Sequence, residues 1–307
     1  MKILITGAFG SIGKRLLSKL KDTEDEIWLL GRNISSQNLY ENKKIFPVEL
    51  DITNCQDIKR LALKLPKTFD ICIHLAAQTE IAVSLKDPQL DINTNAIAIV
   101  YLLETFSFRK FIYVSTGSVY EGQMGKVNQN SLIAPSIPYA ISKFTGELYV
   151  KSFQKYRNNP GAYLILRIFN IYGPYMNPNK FLQNTIKNFA IDKRRDITLK
   201  GSGKAIVDPL YVDDMISALL KAVQTDIENE VIDICYGNPM TIAEFTLTIA
   251  SFFDIDAEIN LSGVSHEEIT FYGDSEPSKR LLDFYPQYSL KDGVMEYYNF
   301  LMEQRIK

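Results

Sequence analysis

The first thirteen residues constrain the fold more than any other part of the chain. Lys2–Thr6 is a short β-branched and aliphatic run, fit for a buried parallel strand. Gly7-Ala8-Phe9-Gly10-Ser11-Ile12-Gly13 follows at once, and it opens a helix with Ile12, Leu16, Leu17 and Leu20 on one stripe. Glycine allows a tight turn and a close backbone approach to a pyrophosphate, which a helix N-terminus stabilises. The spacing is G-x-x-G-x-x-G and departs from the G-x-G-x-x-G dinucleotide fingerprint. Taken alone, the loop fits a purely structural strand–helix turn as well as a phosphate cradle. Its place between a first strand and a first helix favours the cradle.

The same alternation continues. Glu26–Leu30, Ile45–Leu50, Asp70–Leu75, Lys110–Ser115 and Ala162–Ile168 read as strands. Between them lie helical stretches near Asn54–Leu65, Pro88–Phe106 and Pro138–Tyr156. This order predicts an α/β fold: a Rossmann-like, doubly wound parallel sheet with right-handed crossovers and helices on both faces. After about residue 173 the rhythm is broken by Pro174, Pro178 and Gly201-Ser202-Gly203. Helices resume near Asp213–Gln224, at Thr241–Phe253 behind the capping box Thr241-Ile242-Ala243-Glu244, and at Ser289–Glu303. We therefore expect a dinucleotide-binding body over residues 1–173, with return segments near 205–237. Residues 174–204 and 238–307 form a smaller C-terminal subdomain capping a substrate. No linker-like tract separates the two.

Composition narrows the chemistry. Thirty-four Lys and Arg face thirty-six Asp and Glu, which argues against a general nucleic-acid binder. No apolar run reaches membrane length, and the apolar N-terminal stretch is too short for a signal peptide. Cys55, Cys72 and Cys235 are scattered, and only His74 and His266 are available as imidazoles, so no metal site is expected. Cys72 sits in an apolar run and reads as a small buried hydrophobe. A sparse, odd cysteine count fits a reducing, cytoplasmic setting.

Two local features speak to the cofactor and to proton transfer. The second strand ends in Leu30-Gly31-Arg32-Asn33, followed by Ser35 and Ser36, with no carboxylate. A carboxylate there binds the ribose hydroxyls of NAD, whereas an arginine accommodates the 2′-phosphate of NADP. Arg32, with the small polar residues beside it, points to NADP; as a plain loop cation it would leave NAD open. Tyr139-Ala140-Ile141-Ser142-Lys143 places a phenol and an ammonium four residues apart on one helical face. The ammonium is expected to lower the phenol pKa, fitting the tyrosine to exchange a proton with a hydroxyl or carbonyl oxygen. Upstream, Phe111–Ser115 runs out of an apolar strand into Thr116, at the carboxyl end of the sheet where ligands bind. Its hydroxyl reads as a partner for the reacting oxygen, or as a strand-end cap.

In chain order, these segments resemble an extended short-chain dehydrogenase/reductase, the branch of sugar-nucleotide epimerases, dehydratases and reductases. The resemblance rests on Thr6–Gly13, Asp51-Ile52, His74-Leu75-Ala76-Ala77-Gln78, Asn95, Val114–Tyr120, Tyr139 to Lys143, Arg167–Pro174 and Tyr211–Asp214. It implies that Tyr139 is the catalytic acid/base, that Lys143 holds the nicotinamide ribose, and that Thr116 is the hydroxyl partner. It implies further that Gly7, Phe9, Gly10, Ser11, Ile12 and Gly13 cradle the cofactor, with Arg32 at its adenosine end. Asp51 and Ile52 would contact adenine, while Leu75, Ala76, Ala77, Gln78 and Asn95 complete the cofactor wall. Thr79, Ser118, Asn170, Lys180, Phe181, Lys204 and Tyr211 would face a nucleotide sugar. His74 would be a structural strand-end residue. A homodimer through a four-helix bundle built on the stretches near Pro88–Phe106 and Pro138–Tyr156 is also implied, with Ile97, Val100, Tyr101 and Leu148 contributing.

The departures from the pattern discriminate. Dehydratases of this branch carry an acid two positions after the threonine, and this chain has Gly117-Ser118. Valine stands at position 207, where an arginine commonly reaches the diphosphate, and a second arginine is missing ahead of Gly273-Asp274. Lys204 or Lys180 would then supply charge, without the bidentate fork of arginine. Glu121 replaces the glycine usual after Val119-Tyr120. The leading expectation is an NADPH-dependent reductase of a 4-keto sugar. A C4-epimerase recycling tightly held NAD is the alternative, and a non-catalytic nucleotide-binding scaffold is the reading from another class.

Overall fold

A computed structural model describes residues 1–20, 23–32, 34, 44–263 and 268–306. Asn33, Ser35, Ser36 and His266 lie outside the described residues. Strand β1 (Lys2–Thr6) leads through the glycine turn into α1 (Ser11–Leu20), then β2 (Glu26–Gly31), β3 (Ile45–Glu49), α2 (Cys55–Leu61) and β4 (Thr68–His74). Two short helices follow, α3 (Ile81–Lys86) and α4 (Pro88–Ile92); a π-helical turn at Asn93–Ile97 joins the latter to α5 (Ala98–Thr105). The long strand β5 (Ser107–Thr116) ends in a 3₁₀ turn, Gly117–Tyr120. After it come β6 (Met124–Val127), α6 (Pro138–Arg157), β7 (Ala162–Ile168) and β8 (Ile171–Tyr172).

The later part comprises α7 (Phe181–Ala190), β9 (Asp196–Lys200), β10 (Ile206–Val207), β11 (Leu210–Tyr211), α8 (Val212–Gln224) and β12 (Glu230–Ile234). It ends with β13 (Met240–Thr241), α9 (Ile242–Ser251), β14 (Glu258–Ser262), β15 (Thr270–Gly273), α10 (Glu276–Leu282) and α11 (Leu290–Ile306). Seven strands form the central sheet in the order β12-β7-β5-β4-β1-β2-β3. Every neighbouring pair in it is parallel. This is the expected Rossmann-like, doubly wound sheet, with the strand order reversing beside β1. Pro47, which lacks a ladder donor, sits on the edge strand β3, where it is tolerated.

Alternation within β1 shows why both faces are covered: Ile3 and Ile5 enter one core, Leu4 the other. The first core is closed by Leu16 and Leu17 of α1 and by Met215, Ile216 and Leu219 of α8. The second is closed by Ile58 of α2, Leu102 and Leu103 of α5, and Val150 and Phe153 of α6. A third cluster gathers Leu182, Ile186 and Phe189 of α7, Phe245 and Ile249 of α9, and Val294 and Tyr297 of α11. Thr241 and Glu244 form the capping box of α9 as read from the sequence. Two small parallel pairings, β6 with β15 and β9 with β14, tie the later segments together. Among the described residues no helix is long and apolar enough to cross a membrane, and no cluster of His, Cys, Asp and Glu is arranged to hold a metal ion.

Candidate active site

The carboxyl ends of β1, β4, β5 and β7 open onto one cavity of about 1140 Å³. At its floor the glycine loop is packed so closely that side chains are excluded. A Cβ on Gly13 would stand 2.3 Å from the Ala8 carbonyl oxygen, and one on Gly7, whose φ is +65°, would stand 2.6 Å from the Ala76 nitrogen. Backbone therefore forms this wall, ahead of the N-terminus of α1, as an anion-binding turn requires. Gly7, Phe9, Gly10, Ser11, Ile12 and Gly13 all line the cavity, together with Arg32, Asp51, Ile52, Leu75, Ala76 and Ala77. The surroundings fit a dinucleotide.

Beside Arg32 the structure adds what β2 itself lacks. The guanidinium lies 3.8 Å from the carboxylate of Asp51, which follows β3. Burial raises the Asp51 pKa, but two hydrogen bonds from Thr53 and the charge of Arg32 outweigh it, so the group stays ionised below its ordinary range. The end of the cavity expected to take the adenosine thus pairs one cation with one anion, Asp51, which the sequence places at the adenine without this link to Arg32.

Thr116, Tyr139 and Lys143 all line this cavity, and the Thr116 and Tyr139 hydroxyls are hydrogen-bonded to each other. Thr116 ends β5, with its hydroxyl 3.2 Å from Ser118 Oγ and accepting from the Ser118 amide at 3.1 Å. Tyr139 lies in the first turn of α6, where Pro138 occupies a position that needs no amide hydrogen. Glu121 fixes that helix start: its carboxylate accepts from the amides of Ser136 and Ile137, each at 2.9 Å, and from the Ser136 hydroxyl at 2.7 Å. An anion at a helix N-terminus is favourable in its own right. Glu121 thereby ties the turn after Thr116 to the helix that carries Tyr139, a role the sequence did not disclose.

Lys143 is buried, donates to the Val114 carbonyl at 2.7 Å, and stands 4.4 Å from the centre of the Tyr113 ring. Burial drives its pKa down to about 7, against the pull of Glu147 and Asp91. Burial also pushes the Tyr139 phenol up to about 12; a hydrogen bond from Thr116 lowers it, while Asp91 and Glu80 raise it further. The sequence expectation of a lowered phenol is therefore not met in this state. Desolvation and two carboxylates outweigh the help the phenol receives.

A buried network lies beneath these groups. Arg167 makes a two-pronged pair with Glu147 at 3.0 and 2.7 Å and donates to the Tyr120 hydroxyl at 2.7 Å. Ser115 donates to Glu147 at 2.6 Å, and Tyr120 donates to Asp233 at 3.0 Å. His74 is also buried: its Nδ1 lies 3.0 Å from the Thr6 hydroxyl, and burial lowers its pKa to about 3. It is a neutral structural imidazole.

Several residues expected in the site stand elsewhere. Gln78 and Asn95 lie behind the cavity wall. The Asn95 side chain accepts from the Gln78 amide at 2.9 Å and donates to the Gln78 carbonyl and Ser142, and the Gln78 side chain donates to Asp91. These contacts shape the loop after β4 and leave neither side chain on the cavity surface. Tyr211 is buried between Tyr172 and Tyr288, with ring centres at 5.6 and 4.6 Å, so aromatic packing takes it away from the cavity. Lys204 is exposed in the turn before β10, outside the cavity, in the field of Glu268.

Thr79, Ser118, Asn170, Lys180 and Phe181 do line the cavity. The Asn170 side-chain oxygen is occupied by the Asp208 amide at 3.1 Å. Lys180 reaches across the mouth to Glu80 at 3.5 Å and to the Thr79 carbonyl at 3.4 Å. Sequence reasoning missed Glu80, Met176, Val207's apolar companions Ile242 and Ile269, and Phe271, all of which line the same end. They come from segments far apart in the chain, and no local motif announces them.

The sequence model of the NAD dependent epimerase/dehydratase family matches residues 3–235. The chain is 27% identical over 307 residues to a Bacillus subtilis protein named an uncharacterized UDP-glucose epimerase, covering 96% of each. Among solved structures it is similar to a Bacillus cereus UDP-glucuronic acid 4-epimerase in complex with UDP-glucuronic acid and NAD. That similarity has a TM-score of 0.86 at 29% identity and spans 99% of this chain and 100% of the other. It is likewise similar to a Thermotoga maritima UDP-glucose 4-epimerase with UDP-glucose, with a TM-score of 0.86 at 26% identity over 99% and 100%.

Proposed function

We propose, from the premise that this chain belongs to the NAD-dependent epimerase/dehydratase family, that it is a C4-epimerase of a nucleotide-activated sugar with NAD as its recycled cofactor. The observation that carries this reading is the meeting of Thr116, Tyr139 and Lys143 in one cavity with the backbone-walled glycine loop. Relatives named as UDP-sugar 4-epimerases over nearly the whole chain support epimerisation over net reduction. Asp51 supports NAD over NADP, since its carboxylate beside Arg32 opposes a 2′-phosphate. Ser118, at the position where dehydratases of the resembling branch carry an acid, speaks against water elimination.

The residues have distinct parts in this reaction. Gly7, Gly10 and Gly13 would admit the pyrophosphate to the backbone, and Asp51 and Arg32 would hold the adenosine. When bound, NAD supplies the hydride acceptor and a positive charge that favours the phenolate. Thr116 and Tyr139 hold the sugar O4, and Tyr139 takes up its proton as C4 is oxidised and returns it when C4 is reduced. Burial holds the phenol near 12, so it is protonated in the cofactor-free chain and would have to lose that proton to solvent, under the positive charge of bound NAD, before it could accept the one from O4. Lys143, which lines the same cavity, would hold the ribose of bound NAD. Apolar Val207, Ile242 and Phe271 exclude water from the far end. We extend the proposal to a homodimer, supported by exposed Ile141, Leu148 and Tyr149 on α6.

Product analysis tests the proposal. With catalytic NAD and a UDP-hexose, the C4 epimer should form without net change in absorbance at the reduced-nicotinamide band, and Tyr139→Phe should lose at least about a hundredfold in kcat, the scale of general acid–base catalysis. Stoichiometric NADPH oxidation with a 4-keto sugar and no epimer would overturn it in favour of the reductase.

A further inference from the structure

We propose that Glu80 makes this site select a sugar whose C5 substituent is uncharged, as in a hexose, and reject one bearing a carboxylate there, as in a hexuronic acid. This rests on the epimerase reading, which places the reacting C4 oxygen at Tyr139. Covalent geometry then fixes the neighbourhood. The C5 substituent is attached to the carbon next to C4, so with bonds near 1.5 Å it lies roughly 3 Å from O4. Whatever charge surrounds the Tyr139 phenol also faces that substituent.

The charges there are few. Lys143 lines the same cavity as the phenol, and burial has weakened its hold on its proton. Asp91 lies buried behind the wall, tied to Gln78, Asn95 and Ser142. Glu80 lines the cavity itself, and its charge is felt at the phenol. The charge of Lys180 on the opposite lip is already matched by Glu80 at 3.5 Å. A substrate carboxylate entering here would meet an anion and find the neighbouring cation engaged.

The position of Glu80 is set before any ligand arrives. The Gln78 side chain accepts from the Glu80 amide at 2.5 Å and donates to the Glu80 carbonyl at 3.0 Å, and Gln78 is itself anchored on Asp91 at 2.8 Å. Such a clamp fixes the backbone under the carboxylate at both its polar groups. The side chain is 41% exposed, so its effect on a second anion is screened to about tenfold.

The test is binding selectivity, measured by calorimetry on the NAD-loaded protein with UDP-glucose and UDP-glucuronate, alongside product analysis. Wild type should bind UDP-glucose about tenfold more tightly. Glu80→Gln, which removes the charge and frees Lys180, should narrow that ratio at least about fivefold, whatever it does to the binding shared by both sugars. Preference of wild type for UDP-glucuronate, an unchanged ratio in Glu80→Gln, or no binding of either sugar would overturn the proposal. Selective binding with no C4 epimer formed would leave the selection standing and sink the epimerase reading alone.

Discussion

Lys143 is the residue at which function and stability are expected to conflict. An ammonium that ordinarily titrates at 10.5 is held at about 7 by burial. At 1.36 kcal/mol per decade of proton affinity, this corresponds to roughly 5 kcal/mol of cost for keeping the charged form in the folded chain. The sign follows from proton counts. Below pH 7 both folded and unfolded chains hold the proton, and the folded state bears the whole cost. Between pH 7 and 10.5 the folded chain releases it while the unfolded chain keeps it, so stability rises by about 1.4 kcal/mol per pH unit. Lys143→Met removes the charge but also the hydrogen bond to Val114 and the contact with the Tyr113 ring, together worth about 1–3 kcal/mol.

The variant is therefore expected to be inactive yet more stable than wild type by about 2–4 kcal/mol at pH 6, and the gap should vanish towards pH 9. Urea unfolding of both proteins in parallel at pH 6, 7, 8 and 9 reads this directly, because every other titrating group cancels in the difference. A difference that stays constant over that range would mean that Lys143 titrates in its ordinary range, and would refute the burial argument.

Arg167→Met leaves Glu147 buried without its cation and is expected to cost about 3–5 kcal/mol in urea unfolding. Arg167→Met with Glu147→Leu should recover only part of that loss, because buried Ser115 loses its acceptor and Asp233 its nearby cation; a single-variant loss below about 1 kcal/mol would show that the pair is not what holds α6 to β7. For the proposed dimer, light scattering should report twice the 35.0 kDa chain mass, and Leu148→Glu should return the protein to a monomer with its fold intact. A monomeric wild type at micromolar concentration would remove that proposal.

The parts of the fold legible in the sequence are those governed by local or periodic constraints. Buried parallel strands must be apolar throughout, so β1, β2, β4, β5 and β7 stood out, with ends displaced by only a few residues. Strand β12 did not, because Glu230-Val231-Ile232-Asp233-Ile234 carries a buried acid whose partner, Tyr120, is more than a hundred residues away. The pairing of Met124 with Thr270 and of Asp196 with Glu258 is equally remote and leaves no local trace. Nor does the π-helical turn at Asn93–Ile97, where Asn95 turns inward to meet Gln78 rather than the cavity.

The two ends of the cavity differ in the same way, and the difference bears on specificity. The cofactor end is walled by backbone that only glycine permits, so its residue types are forced and can be recognised in sequence. The substrate end is walled by side chains from the loop after β4, from α7, from β10 and from β15, and many residue types would fill it. At that end this chain places buried Val207, an apolar residue, and Lys180 is matched by Glu80 rather than left free. An anion clamp is thus weakened twice over: a fork-shaped cation is missing at Val207, and the cation on the lip carries its own counter-ion. The diphosphate of the proposed substrate would then compete with Glu80 for Lys180, and any second negative charge on the sugar would do so too. Selection against that second charge follows from the same competition, and it is set by residues that no linear motif records.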